Sequence, residues 1–226
     1  MALINLYAGF DVREEVGYHT FCSSVIHHAS QPVSITPLVL RNLYGLDARD
    51  GTNEFIYSRF LIPQIESWRG FALFCDGADM IVKDDIAKLW AMRNHKYAVQ
   101  VVKHEYRTKH VRKYVGTAME ADNRDYPRKN WSSVMLINCQ HGMWREIDDS
   151  YISTHSGADL HRFNWIPDEY IGELPIEWNW LADELGDNPE AKLLHWTAGI
   201  PGFPHYSTAP QASDWFDATR KITQHA

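Results

Sequence analysis

Apolar and polar positions change period repeatedly along this chain. Leu3 to Phe10 is a short apolar run broken by Gly9 and Asp11, which predicts a buried strand. Arg13 to Ala29 then carries apolar residues at helical spacing. Pro32-Val-Ser-Ile-Thr-Pro-Leu-Val-Leu predicts a second strand bracketed by prolines, followed by a polar loop from Asn42 to Asn53. A helix is expected from Tyr57 to Trp68. Phe71-Ala-Leu-Phe-Cys reads as a third strand running into Asp76-Gly77-Ala78-Asp79, and Asp85 to Trp90 as a short amphipathic helix. Tyr97-Ala-Val-Gln-Val-Val and Ser133-Val-Met-Leu-Ile-Asn supply two more strands, with later helices over Gly142 to Tyr151 and Ala209 to Thr223. Such alternation predicts an α/β fold around a mainly parallel sheet, whose ligands gather at the carboxyl ends of the strands. No internal repeat interrupts it, and 226 residues fit a single domain over 1–226.

Composition narrows the partners. With 45% apolar and 23% charged residues the chain is globular rather than disordered. A net charge of −7 repels phosphate backbones and anionic membranes, so nucleic acid is excluded unless a local basic patch exists. The excursion from Lys103 to Lys129 is locally basic: Lys103, Arg107, Lys109, Arg112, Lys113, Arg124, Arg128 and Lys129 stand against four acids. It is either a solvated, mobile loop or a rim that attracts a phosphorylated or otherwise anionic substrate. The 9 Trp, 11 Tyr and 9 Phe either fill cores or stack on sugars and bases. Cys22, Cys75 and Cys139 are odd in number and lack metal-ligand spacing, which reads as reduced thiols in a cytoplasmic protein. No basic segment precedes a long apolar run, and no apolar run is long enough for a membrane span.

Two segments carry chemistry. Asp76 and Asp79 sit in a turn at a strand's carboxyl end, where hard oxygen ligands suit Mg²⁺ or Mn²⁺ completed by substrate phosphates. Aspartates also cap helices and make turns, so a purely local role stays open. Leu193-Leu-His195-Trp-Thr-Ala-Gly199 delivers His195 from a strand-like run into a Gly- and Pro-rich loop, as a metal ligand or as a hydrogen-bonded structural histidine. GxGxxG after a strand, GxxxxGK[ST], GxSxG and HExxH are all absent, which disfavours dinucleotide, P-loop, serine hydrolase and zincin readings.

The order of these motifs carries a resemblance. A strand ending near Asp11, a Tyr57-Ser-Arg59 helix, the Asp76/Asp79 turn, Asn130-Trp-Ser-Ser-Val-Met-Leu-Ile-Asn138, Asp168-Glu169 and His195-Trp-Thr-Ala-Gly199 together resemble the glycogenin and lipopolysaccharide galactosyltransferase family, glycosyltransferase family eight. The resemblance spans roughly residues 3 to 206. It implies a GT-A fold, a divalent cation, usually Mn²⁺, a UDP-sugar donor and hexosyl transfer with retention to an acceptor that the sequence does not name. It implies Asp79 and His195 as metal ligands, with Asp76 beside them. Arg59 would steady the donor, and Tyr7, Ala8 and Asp11 would contact the nucleoside. Asn130, Ser132 and Gly199 would line the donor site, and Asp168 would lie beside the reacting sugar. The chain departs from the family at D-G-A-D in place of D-x-D, at Asn130-Trp131-Ser132-Ser133, and in lacking a phosphate-contacting Lys after His195. Lys103 or another base of the excursion would then take that role. A metal-dependent nucleotide-diphosphate hydrolase and a non-catalytic carbohydrate-binding protein are the alternatives.

Overall fold

The computed structural model describes residues 3–43 and 53–223, so most of the polar loop expected over Asn42 to Asn53 falls outside the described residues. β1 (Ile4–Gly9) leads through a 3-10 turn into α1 (Glu15–His28) and β2 (Val33–Leu38). Then come α2 (Ile62–Ile65), β3 (Phe71–Cys75), β4 (Met80–Val82), α3 (Ile86–Trp90) and β5 (Val99–Val101). β6 (Arg112–Lys113) and β7 (Ala121–Asp122) form a small hairpin inside the basic excursion. β8 (Val134–Asn138), α4 (Asp149–Thr154), α5 (Gly157–His161), β9 (Ile171–Glu173), β10 (Trp180–Leu181), α6 (Ala182–Leu185), β11 (Leu193–His195) and α7 (Ala212–Thr223) follow.

The main sheet has the order β2-β1-β3-β8-β5-β9. Three pairings are parallel, and β8 runs antiparallel to both of its neighbours. Successive residues of a strand face opposite sides, so each buried strand feeds two cores. Phe74, Met135 and Val101 pack with Phe60, Ile62, Trp144 and Phe163 on one side. Leu73, Cys75, Val134 and Leu136 pack with Phe21 and Val25 of α1 and Leu89 of α3 on the other. A second sheet, β10-β11-β4, stands beside it. The three cysteines are free, and no described helix is long and apolar enough to cross a membrane.

Three expected helices differ in extent. Over Tyr57 to Trp68, Ser58–Leu61 forms a 3-10 turn and only Ile62–Ile65 is α-helical. Pro63 suits a first turn, and Ser67 and Trp68 both adopt φ of 53°, which ends the helix. Gly142 to Tyr151 splits because the Asp148 carboxylate accepts from Tyr151 N at 2.7 Å and caps a new helix. The last helix starts at Ala212, after Gln211 with φ 55°, rather than at Ala209.

Because β8 is antiparallel to β3, its amino end lies against the carboxyl end of β3, with Val134 opposite Cys75. Asp76 N donates to Ser133 O at 2.8 Å, which closes that corner. The segments following β1 and β3 therefore meet the segment preceding β8 at one edge of the sheet.

Candidate active site

The Asp76–Asp79 turn is built by Gly77. Its φ of +78° lets the chain reverse within four residues, with Ala78 N donating to Asp76 O and Met80 N to Gly77 O. The residue that D-G-A-D adds over D-x-D is absorbed in this way, and both carboxylates stay on one side of the turn. β4 then pairs antiparallel with β11, Met80 opposite His195, and Trp196 N donates to Asp79 O at 2.9 Å. Ligand atoms of Asp76, Asp79 and His195 all lie within 4.8 Å of one another.

Neighbouring groups orient this trio. His195 Nδ1 lies 3.0 Å from Asn179 Oδ1, and Asn179 Nδ2 donates to Ser133 Oγ at 2.8 Å. With Nδ1 donating to an amide oxygen, Nε2 is left to face Asp79 Oδ2 at 3.3 Å. Arg59, 3% exposed, lies against the Phe74 ring, donates to Ser132 O at 2.8 Å and places Nη1 2.6 Å from Asp76 Oδ1. Asp76 Oδ1 is thus ion-paired, whereas the buried Asp79 Oδ1 has no hydrogen-bond partner. Two carboxylates, one with an unsatisfied buried oxygen, and an imidazole nitrogen converging on one point fit a divalent cation. Burial pushes the Asp76 carboxyl up to about 6, with Arg59 opposing and Asp79 adding to the rise. Burial disfavours the His195 imidazolium, but Asp79 and Asp76 outweigh it and raise its pKa.

Glu14 shares this field. Its carboxylate oxygens are buried without hydrogen-bond partners, and burial together with the charges of Asp79 and Asp11 raises its pKa well above the usual range. His104 is also buried, with Nε2 unpartnered, and burial followed by His195 pulls its pKa down to about 3. The folded protein therefore keeps His104 neutral while the unfolded chain protonates near 6.5, so stability drains away as pH falls from 6.5 toward 3. Chemical denaturation of wild type and His104→Phe at pH 7 and pH 5 is expected to diverge by about 2 kcal/mol in favour of the variant at the lower pH. Parallel curves would mean that His104 titrates as a solvated side chain.

A cavity of about 340 Å³ opens above the trio. Of the residues singled out in the sequence, it brings together Asp76, Asp79, His195, Arg59, Asn130 and Ser132. Asn130 takes φ 62° ahead of the turn into β8 and donates to Tyr106 Oη at 2.7 Å. The others stand outside the lining. Tyr7 donates its hydroxyl to Glu66, Ala8 is buried beside Gly77, and Asp11 is occupied by Arg13 and Glu54 N. Lys103 lies over the Trp131 ring, and Gly199 packs on Tyr206. Asp168 is 81% exposed and ion-paired to Arg128 at 2.6 Å. Of the basic excursion, Lys113 and Arg124 line the cavity, and Tyr114, Tyr126, Gly157 and His161 line it without having been singled out. Ser132 Oγ lies 2.6 Å from His161 Nδ1, and burial, with the charges of Arg59 and Lys113, holds that imidazole neutral. Asn179 had one legible signal, an amide between Trp178 and Trp180; His161, among twelve histidines, had none.

No protein-family model matches the chain. It is 34% identical over 223 residues to Protein CDI of Arabidopsis thaliana, a similarity covering 94% of this chain and 84% of that protein. The chain belongs to the Protein CDI family. Among solved structures it is similar to the WbbM bifunctional glycosyltransferase, with a TM-score of 0.67 at 14% identity over 96% of this chain and 50% of that one. The glycosyltransferase GlyE of Streptococcus pneumoniae TIGR4 gives 0.65 at 14%, over 97% and 60%. The galactosyltransferase LgtC, in complex with donor and acceptor sugar analogs, gives 0.63 at 13%, over 96% of each chain. This chain thus spans half of WbbM and less than two thirds of GlyE. The fold is GT-A, as the motif order led one to expect.

Proposed function

We propose that this protein transfers a hexose from a nucleotide-diphosphate sugar, UDP in the first instance, to a hydroxyl acceptor, depending on a divalent cation and retaining the anomeric configuration. The observation that carries this reading is the Asp76, Asp79 and His195 group beneath a cavity at the strand ends of a GT-A fold. The motif order resembling glycosyltransferase family eight supports it, as does the likeness to LgtC, a galactosyltransferase whose structure holds donor and acceptor analogs.

Asp76, Asp79 and His195 Nε2 would hold the ion, with Asn179 fixing the imidazole tautomer and Arg59 steadying Asp76. A bound Mn²⁺ or Mg²⁺ supplies Lewis-acid stabilisation of the charge that develops on the departing diphosphate. Asn130 and Ser132 line the same cavity and would contact the donor's sugar. Retention through a covalent intermediate needs a free carboxylate beside the anomeric carbon. Among the described residues the acids lining the cavity are Asp76, Asp79 and Asp125, and Asp125 accepts from Thr108 N. Entry of the acceptor on the leaving-group face needs no such carboxylate and suits this lining better.

Thermal shift of the full chain with a panel of nucleoside diphosphates, with and without Mn²⁺, tests the class. One nucleotide is expected to stabilise only when the cation is present, by about 2.7 kcal/mol at a hundredfold excess over Kd. NMR of the product formed from an α-linked donor should then show an α-linkage. Free sugar as the sole product would identify a hydrolase, and cation-independent binding of sugar alone a carbohydrate-binding protein.

A further inference from the structure

The basic excursion contributes little free charge to the cavity, with one exception. Arg112, Arg124, Arg128 and Lys129 are each held by protein acceptors: Glu120 and Asp122, Asp122, Asp168, and Asn123 Oδ1 respectively. Arg59 is spent on Asp76 and Ser132 O. Lys113 lines the cavity and feels Asp79, Asp76 and Glu14, yet among the described residues its ammonium has no hydrogen-bond or ion-pair acceptor.

The backbone holds this cation in place at some cost. Tyr114, the next residue, adopts φ 56°, a strained value for an aromatic side chain. Tyr114 N donates to Ala198 O at 2.6 Å and Val115 N to Tyr206 Oη at 2.9 Å, which fastens the β6–β7 hairpin to the loop that follows His195. Burial also drags the basicity of Lys113 below its ordinary value, against the pull of Asp79. A strained backbone lowers the stability of the ligand-free fold, and a desolvated ammonium that faces the Tyr114 ring at 5.4 Å but no acceptor calls for an anion from outside.

Charge defines that anion. A divalent cation would offset Asp76 and Asp79, and the charges of Arg124 and Asp125, which also line the cavity, cancel. Arg59 and Lys113 then leave the cavity about two positive charges in excess, matching the two negative charges of a diphosphate diester. We infer that Lys113 is the diphosphate-binding cation of this site, its ammonium donating to the phosphate oxygens that leave with the nucleotide. The assignment rests on the transfer reading above.

Calorimetric titration of the full chain with UDP and with inorganic diphosphate, both at saturating Mg²⁺, tests it. Lys113→Gln is expected to weaken both ligands by about tenfold to a hundredfold, the worth of a charge-assisted hydrogen bond. Lys113→Arg should restore most of that loss, and affinity of Lys113→Gln for Mn²⁺ alone should not fall, since a positive charge near Asp79 and Asp76 is removed. Without ligand, Lys113→Met should melt no lower than wild type, since it removes a desolvated charge. Equal diphosphate affinity in Lys113→Gln and wild type would overturn the assignment and leave glycosyl transfer standing. Parallel loss of Mn²⁺ affinity would make Lys113 a structural residue and overturn it too. A wild-type protein that takes up neither ligand with the cation would bring down both readings.

Discussion

Asp79→Asn is expected to fold normally and to lose cation-dependent nucleotide binding and turnover together. The backbone of residue 79 anchors the turn, with its carbonyl accepting from Trp196 N, and that bond does not involve the side chain. The side chain instead has one oxygen without a hydrogen-bond partner and the other toward His195. An amide keeps the volume but offers no negative charge to a hard cation. Removing a residue that only orients a metal ligand typically costs about 10–100-fold in affinity, and removing a ligand itself should exceed that. Without metal the variant should melt at or above wild type, because the substitution relieves repulsion with Asp76. Mn²⁺ titration followed by electron paramagnetic resonance separates the cases. A variant that binds Mn²⁺ as wild type does and turns over normally would remove Asp79 from the site.

How much of this was legible in the sequence depends on whether the signal is local. β1, β3 and β8 are continuous apolar runs because both of their faces are covered, and they stand out as such. The Asp76–Asp79 turn was visible for the same reason, lying where an apolar run stops. His195 stood out where an apolar run enters a Gly- and Pro-rich loop, and Arg59 was reached through the order of motifs. Helix ends were less visible, since Gln211 or Trp68 in a left-handed conformation is a tertiary outcome that no propensity announces. Asp168 and Lys103 stand in suggestive positions of the chain, but the fold turns Asp168 out to Arg128 and lays Lys103 on Trp131. Lys113 was one of eight bases in a single excursion, and only the hairpin's attachment to the loop after His195 distinguishes it. Local patterns thus located the metal trio, whereas the cavity's other walls come from segments distant in the chain.

The close packing of α1 on the turn gives the second large effect, at a residue without any functional group. Gly17 lies in α1 where a Cβ would fall 1.9 Å from the carbonyl oxygen of Ala78, the peptide between the two carboxylates. Helix propensity alone favours Gly17→Ala by about 1 kcal/mol. The steric conflict opposes that gain, and because the obstructing atom belongs to the backbone it cannot rotate away. Either α1 retreats from β4 or the turn deforms. Overpacking of this kind costs about 1–3 kcal/mol, and a chain of this size loses about 2–4 °C in Tm for each kcal/mol. If the turn yields, the ligand oxygens of Asp76 and Asp79 separate, so Mn²⁺ affinity should fall along with Tm. Gly142→Ala, whose Cβ would meet open space, serves as the comparison and should leave both unchanged. A Gly17→Ala protein that melts higher than wild type and binds Mn²⁺ equally well would show propensity prevailing and the contact between α1 and Ala78 absent in solution. The expected result, a lower Tm with weakened metal binding, would tie the spacing of the two carboxylates to the helix that supports them.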